Sequence, residues 1–372
     1  MPVPAALRSA GDRLPGVRKI AVLRANAVGD FVLTLPALGA LRGTYPEAEI
    51  VLLGLPWHAE FLRGRPGPVD RVVEVPVFPG LRDGPEDRGA LARFFAAMQA
   101  EGFDLAIQLH GGGRHSNPFV RRLGARVTLG SRTPDAAPLD RTIPYRLHQP
   151  EVLRYLEIVS LVGAEPLHLE PRLAVTARDR EEAAAAVGGS PAPIVLLHPG
   201  ARDPRRRWPA EKFARVGDAL ARESRILVNG VREEREVVEA VCAGMQAPAV
   251  PLHGRLSLCG LVGLLASARL LVANDSGPIH LATAVGAPVV GIYWCGNVIG
   301  FGPMTVSQHA SHIAWRLDCP ECGRHCMRDA CSHQVSFVAD VAVEDVLASA
   351  RHLLGARPLE AERPACASLA RV

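Results

Sequence analysis

Aromatic residues make up only 5% of this 372-residue chain, and no lysine-rich stripe interleaves with them, so nucleic-acid recognition finds no support. No uninterrupted apolar run approaches the ~20 residues that span a bilayer. The opening MPVPAALRSAGDRLPG holds no apolar stretch of signal-peptide length before its acidic and proline residues, which gives the expectation of a cytoplasmic protein. Gly-x-Gly-x-x-Gly does not follow the first strand candidate, removing the best marker of hydride chemistry. Gly-x-Ser-x-Gly is absent too, which argues against a hydrolase built on a nucleophile elbow. Asp-x-Asp, a common handle for a divalent metal, occurs nowhere, and there is no short-period repeat or sustained heptad.

What is present is an apolar, mildly basic chain. Hydrophobic residues account for 48%, and 42 Lys and Arg against 38 Asp and Glu give a net charge of +4, a bias that suits anionic small molecules or a membrane surface. The length exceeds one ordinary core, so two domains are expected. Short β-branched runs alternate with Ala- and Leu-rich helical stretches, the pattern of an α/β protein whose parallel sheets are wrapped by helices. Strand candidates in the first half are 19–23, 49–53, 71–75, 104–109 and 126–129. In the second half they are 194–198, 225–228, 249–252, 269–273, 289–293 and 312–315. Each half thus holds enough strands for one doubly wound sheet, with a Gly/Ser/Pro hinge near Ser190. The units expected are 17–189, 190–340 and a C-terminal helix within 341–357 that packs back on the first domain.

The most informative segment is VANDSGPIHLATAVGAPVVG, Val272 to Gly291. An apolar strand stops at a polar turn and restarts as a helix, with Asp275 or Ser276 suited to the cap, Pro278 to the first turn and Gly286 with Pro288 to the stop. Such a start leaves the N–H groups of Ser276, Gly277, Ile279 and His280 at the positive end of a helix, where a phosphate or diphosphate binds. An ordinary βα connection explains the same spacing. HPGARDPRRRWPAEKF, His198 to Phe213, puts Arg205, Arg206 and Arg207 in a strand-to-helix loop, where one arginine fork facing the cleft would hold a diphosphate and the others would form a solvated basic loop. The first strand, KIAVLR, runs into ANAVGDFVLTLPALGALR. Asp30 there lies at the C-terminal edge of a sheet, where open α/β folds bind ligands, and it equally suits an N-cap of a helix starting at Phe31.

In order and spacing these three segments resemble the signature regions of glycosyltransferase family 9, the heptosyltransferase family of lipopolysaccharide core assembly. The resemblance implies a GT-B architecture of two Rossmann-like domains facing a cleft, the acceptor held by the first and the sugar nucleotide by the second. It implies that Asp30 is the catalytic base, that Arg206 takes the place of the family's lysine, and that Asp275, Ser276, Gly277 and His280 meet the nucleotide diphosphate and adjoining ribose. A weaker match puts the ribose-binding acidic residue on Glu234. On the acceptor side QLHGGGRHSNPFVRRLG supplies His110, Arg114 and Asn117 as candidates, although its glycines also suit a plain turn. Where many relatives have Gly-Pro-Thr after the strand 289–293, this chain has Trp294, Cys295, Gly296 and Asn297.

The expected function is inverting, metal-independent transfer of a sugar, heptose from ADP-heptose in the first instance, to a lipopolysaccharide-core or other glycolipid or saccharide acceptor. Membrane contact would be peripheral, at the inner face, and catalysis would need no cofactor. The alternatives are a GT-B-like sugar-nucleotide epimerase and a non-catalytic nucleotide-sugar-binding protein. One feature stands outside this scheme: DCPECGRHCMRDACSH gathers Cys319, Cys322, Cys326 and Cys331, with His325 and His333 beside them. These are ligand types for a structural Zn²⁺ or an iron–sulfur cluster, and reduced thiols or disulfides are the other readings.

Overall fold

The computed structural model describes residues 11–188, 192–329 and 331–356. The first half runs β1 (Lys19–Leu23), α1 (Val28–Val32), α2 (Leu35–Thr44), β2 (Glu49–Gly54), α3 (Pro56–Leu62), β3 (Arg71–Glu74) and α4 (Arg88–Ala100). It continues through β4 (Leu105–Gln108), α5 (Ser116–Arg121), β5 (Val127–Arg132), β6 (Arg141–Pro144) and α6 (Glu151–Ser160). A crossing segment then leads to α7 (Ala177–Val187), β7 (Ile194–His198), α8 (Ala210–Leu220), β8 (Arg225–Val228), α9 (Arg235–Gly244) and β9 (Ala249–Pro251). The last elements are α10 (Leu258–Ser267), β10 (Leu270–Asn274), α11 (Gly277–Val285), β11 (Val289–Trp294), α12 (Cys295–Phe301), β12 (His309–Ala314) and α13 (Val343–Gly355).

The strands form two parallel six-stranded sheets, β3-β2-β1-β4-β5-β6 and β12-β11-β10-β7-β8-β9. Both have the doubly wound order of a dinucleotide-binding fold, so each has a crevice where the winding reverses, at β1/β4 and at β7/β10. β1, β4, β7 and β10 are apolar runs broken only at their ends, by Lys19, Gln108, His198 and Asn274, because helices cover both faces. All eleven expected strands form. The unexpected twelfth, β6, is a four-residue edge strand ending in Pro144, too short and polar to stand out.

Two parts of the expected organisation differ. The helix α7, counted with the first unit, lies against α10 of the second, and Gly260 and Gly263 make this possible. A Cβ on Gly263 would sit 2.0 Å from the Asp179 carbonyl oxygen, and one on Gly260 2.5 Å from Glu182 Oε1. The hinge expected near Ser190 and the end of the 341–357 unit at Arg357 lie outside the described residues, as does the N-terminal stretch 1–10. The helix α13 covers the second sheet instead of returning to the first. Its buried face, Val343, Val346, Ala350 and Leu353, joins the cluster of β7, β8, β10 and β11, and its approach is fixed by Trp208 Nε1 and Lys212 Nζ, both donating to Val341 O at 3.0 Å.

The halves are joined by packing and by charge. One apolar core extends from Ile20, Phe31 and Leu38 to Leu264, Ile279 and Tyr293. The buried Arg65, just after α3, grips Asp179 of α7 with both ends of its fork, Nη1 to Oδ2 at 2.6 Å and Nη2 to Oδ1 at 2.8 Å. Asp179→Ala would leave that guanidinium buried and unpaired, and is expected to cost about 3–5 kcal/mol in a denaturant titration. Burial pushes the Asp179 carboxyl up, but the Arg65 hydrogen bonds and charge, together with the hydrogen bonds from Thr176, outweigh it and leave the pKa below the usual carboxylate value. The pair's contribution is therefore complete above pH ~4 and lost as pH falls through the lowered pKa, so the variant and the parent should converge in acid.

Candidate active site

At the β1/β4 crevice the first residue beyond β1 is Arg24, only 3% exposed. Its Nη1 donates to Leu109 O at 2.6 Å, its Nη2 pairs with Asp30 Oδ1 at 2.7 Å, and its guanidinium carbon lies 5.2 Å from the Tyr155 ring centroid. The helix carrying Asp30 starts at Val28 with Ala27 at its N-cap, so Asp30 falls inside the first turn and is not a cap for a helix at Phe31. Its carboxylate is aimed by Arg24 and remains partly open to solvent. Beside it His110 Nδ1 accepts from the Ala25 N–H at 3.4 Å, which assigns the proton to Nε2, facing Gly80 O at 3.0 Å. Burial and the nearby Arg24 charge lower its pKa to about 4, so the ring is neutral at pH 7.

The other two acceptor-side candidates do not join this group. Arg114 is exposed, with its Nε 3.9 Å from Asp135 Oδ2. Asn117 is fully buried and braces the loop before it: its Nδ2 donates to Ala137 O at 2.9 Å and its side chain fills the space a Cβ on Gly113 would need. A buried brace of this kind offers an acceptor sugar no surface.

At the β7/β10 crevice the three arginines separate. Arg205 is paired with Asp203 through Nη2 at 2.7 Å, and Arg207 Nε donates to Ala201 O at 2.9 Å. Only Arg206 turns toward α11, with its Nη1 3.3 Å from Asp275 O and 3.4 Å from Asp275 Oδ2. Asp275 is buried and also accepts from Asn297 Nδ2 at 2.9 Å, so it aims two donors at the start of α11. The N-cap of α11 is Ser276, whose hydroxyl turns back to Asn274 O at 3.0 Å, and no side chain caps the helix among the described residues. Of the four N–H groups expected there, that of Ile279 is taken by Ser276 O at 3.1 Å. Gly286 ends the helix in the left-handed conformation, φ +78°.

Glu234 stands at the same sheet edge, after β8. Its Oε2 accepts from the Val231 N–H at 2.9 Å and lies 3.9 Å from Nε2 of the buried His198. The carboxylate occupies the space over Gly200, where a Cβ would come within 2.1 Å of Oε1.

The two crevices face each other, because α1 and α11 meet at their first turns. A Cβ on Gly29 would lie 2.6 Å from His280 Cδ2, so only glycine lets the helices approach this closely. His280 is buried, which lowers its pKa, while the carboxylates of Asp275 and Asp30 act in the opposite direction from either side. His280 is thus the contact through which the Asp30 side meets the Asp275 side. Arg24, Asn274 and Asn297 were not anticipated. Arg24 carried one signal, a cation directly after an apolar strand at the sheet edge. Asn274 fixes the arginine loop, accepting from the Trp208 N–H at 3.0 Å and donating to Pro199 O at 2.7 Å.

The cysteines form a separate group beyond β12. Cys319, Cys322, Cys331 and His333 have ligand atoms all within 4.8 Å of one another, whereas Cys326 turns away, its Sγ 3.4 Å from Arg324 O. His333 thus stands where Cys326 was expected. Burial opposes ionisation of Cys319, but the backbone amides of Cys322 and Glu321 and the neighbouring thiols bring its pKa down to about 6.

Comparison with known proteins agrees with the two-sheet architecture. The chain is 26% identical over 332 residues to lipopolysaccharide heptosyltransferase 1 of Pseudomonas aeruginosa, covering 85% of this chain and 88% of that one. Its fold matches the family 9 glycosyltransferase of Veillonella parvula with a TM-score of 0.72 at 22% identity, over 91% of this chain and 97% of the other. The E. coli ADP-heptose lipopolysaccharide heptosyltransferase II matches at 0.71 and 20%, over 90% and 98%. These are GT-B proteins, and the two facing doubly wound sheets are that architecture. The family model for glycosyltransferase family 9 (heptosyltransferase) matches residues 91–329, well over half of the sequence. The chain belongs to glycosyltransferase family 9, the heptosyltransferase family, and is a glycosyltransferase.

Proposed function

We propose that this enzyme transfers heptose from ADP-heptose to a lipopolysaccharide-core or related glycolipid acceptor, with inversion at the anomeric carbon and without a metal on the leaving group. The observation that carries the reading is the meeting of the two crevices, Asp30 on one side and the start of α11 with Arg206 on the other, across the Gly29–His280 contact. Arg24 holds Asp30 Oδ1, and the other oxygen takes the proton of the acceptor hydroxyl as that oxygen attacks the anomeric carbon. The bond from that carbon to the diphosphate breaks, and the electron pair leaves with the diphosphate toward the N–H groups of Ser276 and Gly277 and the Arg206 guanidinium. Asp275 acts as a positioning residue, since a carboxylate repels the diphosphate while holding Arg206 and Asn297 toward it. Glu234 suits the ribose hydroxyls, as an acidic residue beyond the second strand of such a sheet does in dinucleotide sites. A glycolipid acceptor brings the cytoplasmic enzyme to the inner face of the membrane by peripheral contact. Among the described residues no helix is long and apolar enough to cross a membrane.

Donor choice is tested by thermal shift: ADP-heptose should raise the melting temperature more than UDP-, GDP- or dTDP-sugars, since a ligand stabilises the state that binds it. Stabilisation by another nucleotide sugar alone would reassign the donor. Transfer should also proceed without added Mg²⁺ or Mn²⁺, because backbone N–H groups and Arg206 meet the charge that Mg²⁺ would otherwise meet. A requirement for either added ion would contradict the anion site.

A further inference from the structure

The group beyond β12 has the dimensions of a metal centre. Four ligands around a tetrahedral zinc, with Zn–S near 2.3 Å and Zn–N near 2.05 Å, stand about 3.8 Å apart for two sulfurs and about 3.6 Å for a sulfur and a nitrogen. Here Cys322 Sγ and Cys331 Sγ are 3.5 Å apart, Cys319 Sγ lies 3.6 Å from His333 Nδ1, and Cys331 Sγ lies 3.3 Å from the same nitrogen. Disulfide bonding would draw two sulfurs to ~2.05 Å, and all four cysteines of the segment are free. The first two ligands sit on one hairpin. Asp318 and His325 bridge its strands, Gly323 turns it with φ +69°, and its amides face the Cys319 sulfur, the outer-shell support that thiolate centres use.

We propose that Cys319, Cys322 and Cys331, through their thiolates, and His333, through Nδ1, bind one Zn²⁺ in a closed tetrahedral site whose role is structural. Three thiolates and an imidazole leave no open position for substrate, and this donor set selects zinc over the harder divalent ions. The ends of the closed segment show what the ion would hold. Before it, Arg316 O accepts from Trp294 Nε1 at 2.6 Å. After it, Ser336 Oγ donates to Arg207 O at 2.6 Å and the Phe337 N–H to Arg205 O at 2.7 Å. The knot therefore ties the loop of Arg205 to Arg207 to the strand end at Trp294. The site itself is independent of the donor assignment made above, and only its value to the donor loop rests on it.

The test uses full-length protein purified under reducing conditions. Elemental analysis should find about one zinc per chain, and Co²⁺ added to the metal-free protein should give thiolate charge-transfer bands with the visible d–d bands of a tetrahedral site. Cys322→Ser and His333→Ala, each checked for folding by circular dichroism, should weaken Co²⁺ binding by more than the ~10–100-fold that loss of an outer-shell partner costs. His333→Cys should restore binding with a stronger charge-transfer band, and Cys326→Ser should bind as the parent does. Metal removal should speed hydrogen exchange at the Phe337 amide. Failure of reduced protein to bind Co²⁺ or Zn²⁺ would overturn the site, and so would loss of binding in Cys326→Ser with retention in His333→Ala. Unchanged exchange at Phe337 would overturn the structural role.

Discussion

Asp30→Ala is expected to slow heptosyl transfer by ~10²–10⁴-fold, the usual worth of a general base, with donor affinity nearly unchanged. In the proposed mechanism the base acts on the acceptor hydroxyl, so its loss appears in turnover. The variant also removes the anion paired with buried Arg24, a loss that reaches about 3–5 kcal/mol when a buried pair is broken. Asp30→Asn separates the two effects, because the amide keeps the shape and can still accept a hydrogen bond from Arg24 through its oxygen. A folded Asn variant that is slow but binds ADP-heptose normally supports the assignment. Transfer at the parent rate in either variant would reduce Asp30 to a partner for Arg24.

Arg206→Ala should weaken the donor and slow departure of the diphosphate, by ~10²–10³-fold in turnover if Arg206 acts as one preorganised donor to developing charge. Arg205→Ala should change donor binding little, since Arg205 already spends its fork on Asp203. The contrast is the informative part. Equal losses at the two positions in donor titrations would mean a diffuse basic loop with no aimed fork. Arg206→Lys keeps the charge, so it should recover most of the affinity lost in the alanine variant.

The fold was legible because buried parallel strands are near-continuous apolar runs, and β1, β7 and β10 stand out on that ground alone. What escaped was set by packing between distant elements. The close approach of α7 to α10 depends on Gly260 and Gly263, which in sequence read only as weak points of an apolar helix. The placement of α13 depends on Trp208 and Lys212, more than a hundred residues earlier, reaching the carbonyls of Ala339 and Val341 just before the helix begins. At the site the motifs marked which segments matter, and tertiary contacts decide which atoms face the cleft. Arg206 differs from its two neighbours only because Asp203 and Ala201 engage the others. Asn117 stood as an acceptor-side candidate beside a glycine turn, yet the turn folds over it. Among the cysteines, all four stood as candidate ligands, whereas Cys326 turns to Arg324 O and His333 joins the other three.

The proposed reaction is a single in-line displacement with Asp30 as base and α11 with Arg206 receiving the diphosphate. Its most direct test is to incubate purified enzyme with ADP-heptose and a core-truncated lipopolysaccharide, then determine the mass and anomeric configuration of the product by mass spectrometry and NMR. Addition of one heptose, with release of ADP and a configuration opposite to that of the donor, is the predicted result. A product with the donor's configuration retained would contradict it.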